Sequence, residues 1–338
     1  MVTIGYKLAS EEHSPLTLVE NAKKAEDAGF SFAMISDHYH PWISREGHSP
    51  FVWSTLGGIS QSTQTLQLAT GVTCPTMRMH PAIIAQAAAT VACMLPGRFT
   101  FAVGSGENLN EHILGDRWPP ADVRIEMLAE AVDLIRTLWQ GGTRDYYGAY
   151  YTTENAQIFD IPQPLPDILV ASEDERSAML AARIGDGLVN AGKDVEETIQ
   201  TFLDSGGRGK PCYLEFSAAF AESEAEGKRL AYERWPIPAF AGEMNRILPT
   251  PAHYEQLQTM ITEDDVGSKV VCGPNADRYI EKIEKSADMG FDHICIHQIG
   301  DDQQGFIDFM QAEVMPSFTA GSMAGVTAGM AGAGGRDH

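Results

Sequence analysis

"VTIGYKLASEEHSPLTLVENAKKAEDAGFSFAMISDHYHPW", residues 2–42, decides the fold. Two short apolar runs, VTIGYKL (2–8) and SFAMIS (31–36), read as strands. Between them SPLTLVENAKKAEDAGF (14–30) reads as a helix, with Ser14 placed to cap its start and Gly29 to end it. A strand, a helix and a second strand in so short a stretch make a parallel pair with a helical crossover. The second strand then runs straight into titratable and aromatic residues, Asp37-His38-Tyr39-His40-Pro41-Trp42.

The same alternation continues along the chain. Strands are expected near 2–7, 31–36, 66–71, 99–103, 167–171, 187–190, 211–217 and 292–297, with helical patterns between them. Pro81 opens one helix in its first turn, and RIEMLAEAVDLIRTLW (124–139) shows clear three- and four-residue spacing. Eight repeats favour a closed (β/α)8 TIM barrel over an open doubly wound sheet. Two stretches fall outside the simple count, a small β excursion near 140–165 and a long insertion near 236–268. Residues 1–318 are therefore expected to form one barrel domain with insertions. Residues 319–338, rich in Gly and Ala and poor in large apolar groups, are expected to form a flexible tail.

The chain has 338 residues and a formal net charge of -22, which repels phosphate backbones and speaks against a nucleic-acid partner. No apolar window reaches the length of a membrane span, and the N-terminus has no signal-peptide pattern. The five cysteines, Cys74, Cys93, Cys212, Cys272 and Cys295, are scattered and odd in number. They read as buried apolar residues in a reducing cytoplasm, not as a disulfide framework or a metal site.

A barrel of this kind places its ligand at the C-terminal ends of the strands, and the polar residues of this sequence gather there. His38 follows the second strand beside Asp37 and Trp42, where a histidine base works near neutral pH. His40 and His48 are weaker candidates. Glu107 in GSGENLNE (104–111) follows the fourth strand, with Gly104 and Gly106 freeing the backbone to approach a ligand. Lys193 in NAGKDVEE (190–197) lies between a strand and a helix start, a place that suits an anion.

Five motifs together, GYKLASEEHSP (5–15), SDHYHPW (36–42), GVTCPTMRMHPAIIAQ (71–86), LPGRFTFAVGSGENLNE (95–111) and ARIGDGLVNAGK (182–193), resemble the luciferase-like monooxygenase superfamily over residues 2–316. Within it the sequence is similar to the branch of dehydrogenases that use coenzyme F-420, an 8-hydroxy-5-deazaflavin. These include glucose-6-phosphate and secondary-alcohol dehydrogenases. The resemblance implies that Asp37, Gly71, Val72, Glu107 and Asn110 line the coenzyme pocket, with a cis peptide at Gly71-Val72. It implies that His38 takes the alcohol proton, that Trp42 and Glu107 hold or protonate groups at the reacting carbon, and that hydride passes to the deazaflavin. It also implies a homodimer. Its substrate-side positions fall on Trp42, Lys193, Asn245 and Arg246. Phosphate-binding members hold the substrate with two lysines and an arginine. Only Lys193 matches cleanly here, the others falling near Asn245-Arg246 and Ser268-Lys269. A neutral alcohol or unphosphorylated sugar is thus at least as good a fit as a sugar phosphate.

The sequence departs from that pattern after the fifth strand. A Gly-Gly turn near the coenzyme phosphate is replaced by Glu173-Asp174-Glu175, with Arg176 or Ser177 as the expected compensation. Two other readings stand beside the first. One is an FMN-dependent monooxygenase or deazaflavin-dependent reductase of the same superfamily. The other is a barrel that binds without catalysis.

Overall fold

A computed structural model describes residues 2–192 and 194–318. The expected tail (319–338) and Lys193 lie outside the described residues. The chain alternates strands and helices in the order β1 (Thr3–Leu8), α1 (Pro15–Asp27), β2 (Phe32–Ile35), α2 (Val52–Ser62), β3 (Gln67–Thr70), α3 (Pro81–Met94) and β4 (Phe99–Val103). There follow α4 (Asn108–Glu111), α5 (Ala121–Trp139), the hairpin β5 (Arg144–Tyr147) and β6 (Thr152–Ala156), then β7 (Ile168–Ala171), α6 (Glu175–Ile184), β8 (Gly187–Asn190), α7 (Val195–Phe202) and β9 (Cys212–Ala219). The series ends with α8 (Glu224–Arg234), α9 (Met244–Ile247), α10 (Pro251–Gln258), α11 (Glu263–Gly267), β10 (Val271–Cys272), α12 (Ala276–Asp288), β11 (His293–Gln298) and α13 (Gln303–Phe309).

Eight parallel strands run in the order β9-β11-β1-β2-β3-β4-β7-β8, and β8 pairs with β9 to close the barrel. All eight fall where the sequence placed them. The excursion near 140–165 is an antiparallel hairpin, β5-β6. The insertion near 236–268 holds α9, α10 and α11. After it, two-residue β10 pairs with the C-terminal end of β9, beyond the reach of β8.

Helix starts follow the local chemistry. Ser14 accepts from the Thr17 N–H at the head of α1, and Pro15 and Pro81 occupy first-turn positions of α1 and α3. Gly29, at φ 92, follows α1 and leads the chain back to β2. Four cysteines are buried, but Cys93 is exposed on α3, against the expectation of five buried thiols.

Strand alternation sorts the side chains into two cores. Tyr6, Leu8, Ala33, Ile35 and Leu214 point outward and pack under the helices. Phe32, Met34, Ala69, Ala102, Leu169, Val189, Tyr213 and Cys295 fill the barrel interior. Gly5 has to be small, since a Cβ there would lie 2.3 Å from the Phe32 ring. At the upper end this filling changes character. Lys7, the next inward residue of β1 after Gly5, puts Nζ 2.7 Å from Glu215 Oε2 of β9. The floor of the barrel mouth is therefore partly ionic.

Candidate active site

Leu8 and Ile35 are register partners on β1 and β2, and Glu11 and His38 each lie three residues beyond them. The two loops leave the barrel side by side and bring His38 Nδ1 to 3.2 Å from Glu11 Oε1. This is ion-pair distance without hydrogen-bond geometry. Burial by itself would raise the Glu11 carboxyl, but His38 and Lys7 bring it below the usual carboxylate range. Glu11 is thus a buried carboxylate facing the imidazole at ion-pair distance.

Trp42 meets the His38 ring edge-on at 5.1 Å, and Tyr254 of α10 packs against Trp42 at 5.4 Å. The Trp42 N–H donates to Glu46 Oε2 at 2.7 Å. Glu46 is buried, and burial together with the charges of Glu11 and Glu12 lifts its carboxyl well above the ordinary range, against the opposing N–H bonds of Trp42 and Ile43.

At the end of β3 the Gly71-Val72 peptide is cis, as the family resemblance implied. The Gly71 carbonyl accepts from Lys7 Nζ at 2.9 Å. Val72 and Ala171 rest half-buried on the interior core and give the mouth an apolar floor. Gly104 permits this, because a Cβ there would lie 2.8 Å from Val72 Cγ2.

Asp37 is buried and held by protein partners. Its two oxygens accept from Thr73 Oγ1 and Arg78 Nη2, both at 2.8 Å. The Arg78 N–H donates to Glu111 Oε2 at 2.9 Å. Burial raises the Glu111 carboxyl to about 7, with Arg78 acting against the rise. Glu107, just before α4, accepts from Asn110 Nδ2 at 3.3 Å. Asn110 Oδ1 accepts from the N–H groups of Tyr39 and His40, and so ties the loop after β4 to the loop after β2.

The insertion roofs this mouth. Tyr254 donates to the backbone oxygen of Asn245 at 3.0 Å, and Asn245 Oδ1 is buried without a partner. Arg246 Nη2 lies 3.0 Å from Glu173 Oε2, and its Nη1 lies 3.1 Å from Asp174 Oδ2. This accounts for the acidic turn. Ser177 takes part by capping α6 reciprocally with Asp174, while Arg176 pairs with Asp122. The main countercharge is Arg246, which the resemblance had put on the substrate side.

The structure thus brings His38 and Trp42 together, joins Glu107 to the same wall through Asn110, and engages Arg246 in the roof. Sequence reading missed Glu11, Glu46, Lys7 and Tyr254. Glu11 carried a usable signal, a carboxylate directly after a barrel strand. Lys7 did not, because an inward lysine is legible only once its partner on β9 is known.

A closed parallel barrel with an acid–base wall at its C-terminal mouth is the architecture of a barrel enzyme. Residues 3–293 match the luciferase-like monooxygenase family, and the chain belongs to it. It is 32% identical over 331 residues to the F420-dependent glucose-6-phosphate dehydrogenase of Beutenbergia cavernae, covering 95% of this chain and 98% of that one. It is also similar to the solved structure of an F420-dependent secondary alcohol dehydrogenase in complex with an F420-acetone adduct, with a TM-score of 0.87 and 26% identity over 93% of this chain and 98% of the other. A coenzyme F420-dependent tetrahydromethanopterin reductase from Methanopyrus kandleri shares the fold, with a TM-score of 0.75 and 19% identity over 94% of this chain and 99% of the other.

Proposed function

We propose that this chain is a coenzyme F420-dependent dehydrogenase that oxidises the CH–OH group of a neutral alcohol or unphosphorylated sugar. The observation that carries the reading is His38, held at the barrel mouth by the Glu11 carboxylate and the Trp42 edge. A histidine so placed takes a proton from a hydroxyl at neutral pH. No side chain accepts hydride, and the deazaflavin supplies that half of the chemistry when bound.

An apolar floor suits the face of a flat heterocycle. Val72 and Ala171 give the mouth such a floor above the interior core. Gly71 and Val72 follow β3, and Glu107 and Asn110 lie at the start of α4 beyond β4; in this reading they line the coenzyme pocket, while Asp37 acts through Thr73 and Arg78. Trp42 shields the substrate from water, and Glu107 is the second proton-transfer group. Asn245, whose Oδ1 is buried without a hydrogen-bond partner, is assigned to the substrate side in this reading. Arg246 is already neutralised by two carboxylates, which favours an uncharged substrate over a phosphorylated one.

The protein works as a homodimer in the cytoplasm in this account. Leu16 of α1, Phe51 at the head of α2 and Ile83 of α3 leave apolar surface exposed for a second copy. The five unpaired cysteines favour a reducing compartment. Among the described residues no helix is long and apolar enough to cross a membrane.

His38→Ala tests the reading. Turnover with F420 and an alcohol is expected to fall by about 10²–10⁴-fold, the usual worth of a general base, with coenzyme affinity nearly unchanged. Near-normal turnover in the variant would exclude His38 as the base.

A further inference from the structure

The head of α5 gathers polar groups that the reading above leaves unused. Arg124 is the fourth residue of this 19-residue helix, and its side chain folds back toward the helix start. Nη1 donates to the Pro119 carbonyl at 2.7 Å, and the guanidinium carbon lies 4.4 Å from the centre of the Trp118 ring. The residue is only 4% exposed. Among the described residues no carboxylate comes within ion-pair distance of it, and its Nε is buried without a hydrogen-bond partner. Asp122, the acidic residue of the first turn, pairs with Arg176 instead.

Other donors at this place are unmatched too. Trp118 Nε1 is buried without a partner. The helix begins at Pro120 with no side-chain cap, so no side chain accepts from the first-turn N–H groups of Ala121, Asp122 and Val123. Pro120 and Asp122 are exposed, which leaves the helix head open to solvent. An uncapped helix start favours a negative group, and a buried guanidinium is costly without one. Burial and then the charge of Arg246 lower the Arg124 guanidinium, the direction expected of a cation that lacks a countercharge.

We propose that the head of α5 is an oxyanion site, in which Arg124 and the first-turn N–H groups bind a phosphate or a carboxylate. Two sources supply that chemistry. One is the phosphate arm of the deazaflavin, a source that rests on the dehydrogenase reading. The other is a free anion. The position in the fold suits the first source. β4 and β7 are neighbours in the barrel, and the loop from β4 passes Glu107 and Asn110 before it reaches Trp118 and α5. Asn108 of that loop holds the Ile247 carbonyl of the roof at 2.9 Å. The Asp122–Arg176 pair joins the head of α5 to the head of α6, where Arg246 clamps the acidic turn. Arg246 is thus occupied by Glu173 and Asp174, while Arg124 remains a cation without a countercharge beside them.

Arg124→Met tests the site, because it keeps an apolar stem against Trp118 and removes the charge. Calorimetric titration compares F420 with the 8-hydroxy-5-deazaflavin that lacks the phosphate arm. In the wild type F420 should bind at least about 10-fold more tightly, and the difference should shrink with added salt. The variant should lose F420 affinity by roughly 10–100-fold and keep its affinity for the armless deazaflavin. Inorganic phosphate, set against chloride at equal ionic strength, should raise the urea midpoint of the wild type and leave that of the variant unchanged. A selective loss of F420 supports the site with the coenzyme as its source. Loss of the phosphate effect alone supports it with a free anion. Equal losses for both deazaflavins with the phosphate effect intact, or no change in either measurement, overturn it. Should Arg124→Met fail to fold, the wild type decides, and equal affinity for the two deazaflavins with no gain from phosphate overturns the site. A wild type that binds neither deazaflavin, yet gains from phosphate through Arg124, removes the dehydrogenase reading and leaves the oxyanion site standing.

Discussion

Arg246→Met removes the charge that fastens the roof of the site to the loop after β7. The guanidinium makes two charge-assisted contacts, at 3.0 Å to Glu173 and 3.1 Å to Asp174, with its side chain 19% exposed and theirs 32% and 42%. Fully exposed pairs are worth about 0–1 kcal/mol and charged hydrogen bonds about 1.5–3 kcal/mol. A half-buried clamp on two carboxylates lies between, so the loss should be about 1–2 kcal/mol. Asp174 retains its cap on the Ser177 N–H at 2.8 Å, so most of the coupling should appear with Glu173. The assay is urea denaturation of Arg246→Met, Glu173→Gln and the double variant, read as a cycle, with an expected coupling of roughly 0.5–1 kcal/mol. The roof itself should stay folded, because Asn108 Nδ2 holds the Ile247 carbonyl and Glu255 holds the Ser44 N–H. A coupling indistinguishable from zero would mean that Arg246 does not clamp the acidic turn, and the argument for an uncharged substrate would go with it.

Two further predictions concern the barrel itself. Lys7→Met leaves the partly buried Glu215 unpaired and strips the Gly71 carbonyl of its donor. Breaking a fully buried pair costs about 3–5 kcal/mol, so breaking this partly buried one should cost about 2–4 kcal/mol, and Lys7→Met/Glu215→Leu should recover much of it in the same denaturation assay. Glu26 is held low, from 4.5 to about 2, because N–H bonds from Thr65, Leu66 and Gln64 outweigh the effect of burial. A carboxyl depressed on folding stabilises above its unfolded value, so this contribution is complete above pH 4.5 and fades as pH falls toward 2. At about 1.36 kcal/mol per pH unit the shift amounts to about 3.4 kcal/mol, which solvent screening of this open carboxylate cuts to about 1 kcal/mol. Wild type and Glu26→Gln should therefore differ in stability by that amount at pH 7 and converge near pH 2. An undiminished gap near pH 2 would contradict the assignment.

The barrel was legible because each strand is a short apolar run with a helix pattern behind it, and that signal is local. FAMI and FTFAV needed no knowledge of their neighbours. The insertion was not legible, since α9 has four residues and α11 five, too short for any periodicity to register. The site was half legible. His38 and Trp42 lie close in sequence, and Glu107 follows a strand. Glu11 meets His38 across two loops, and burial with the charges of Glu11 and Glu12 lifts the Glu46 carboxyl, neither of which a local pattern shows. The acidic turn looked incompatible with its surroundings because its countercharge, Arg246, lies 73 residues further along the chain from Glu173.

The central claim is that the mouth of this barrel binds a deazaflavin. Titration of the purified protein with oxidised F420, FMN and NADP in parallel, followed by quenching of its tryptophan fluorescence, tests this most directly, since Trp42 lies in the wall of the site. The account predicts saturable quenching by F420 and none by FMN or NADP at the same concentrations. Quenching by FMN alone would contradict it and turn the site to flavin chemistry, and no quenching by any of the three would leave the barrel without its hydride acceptor.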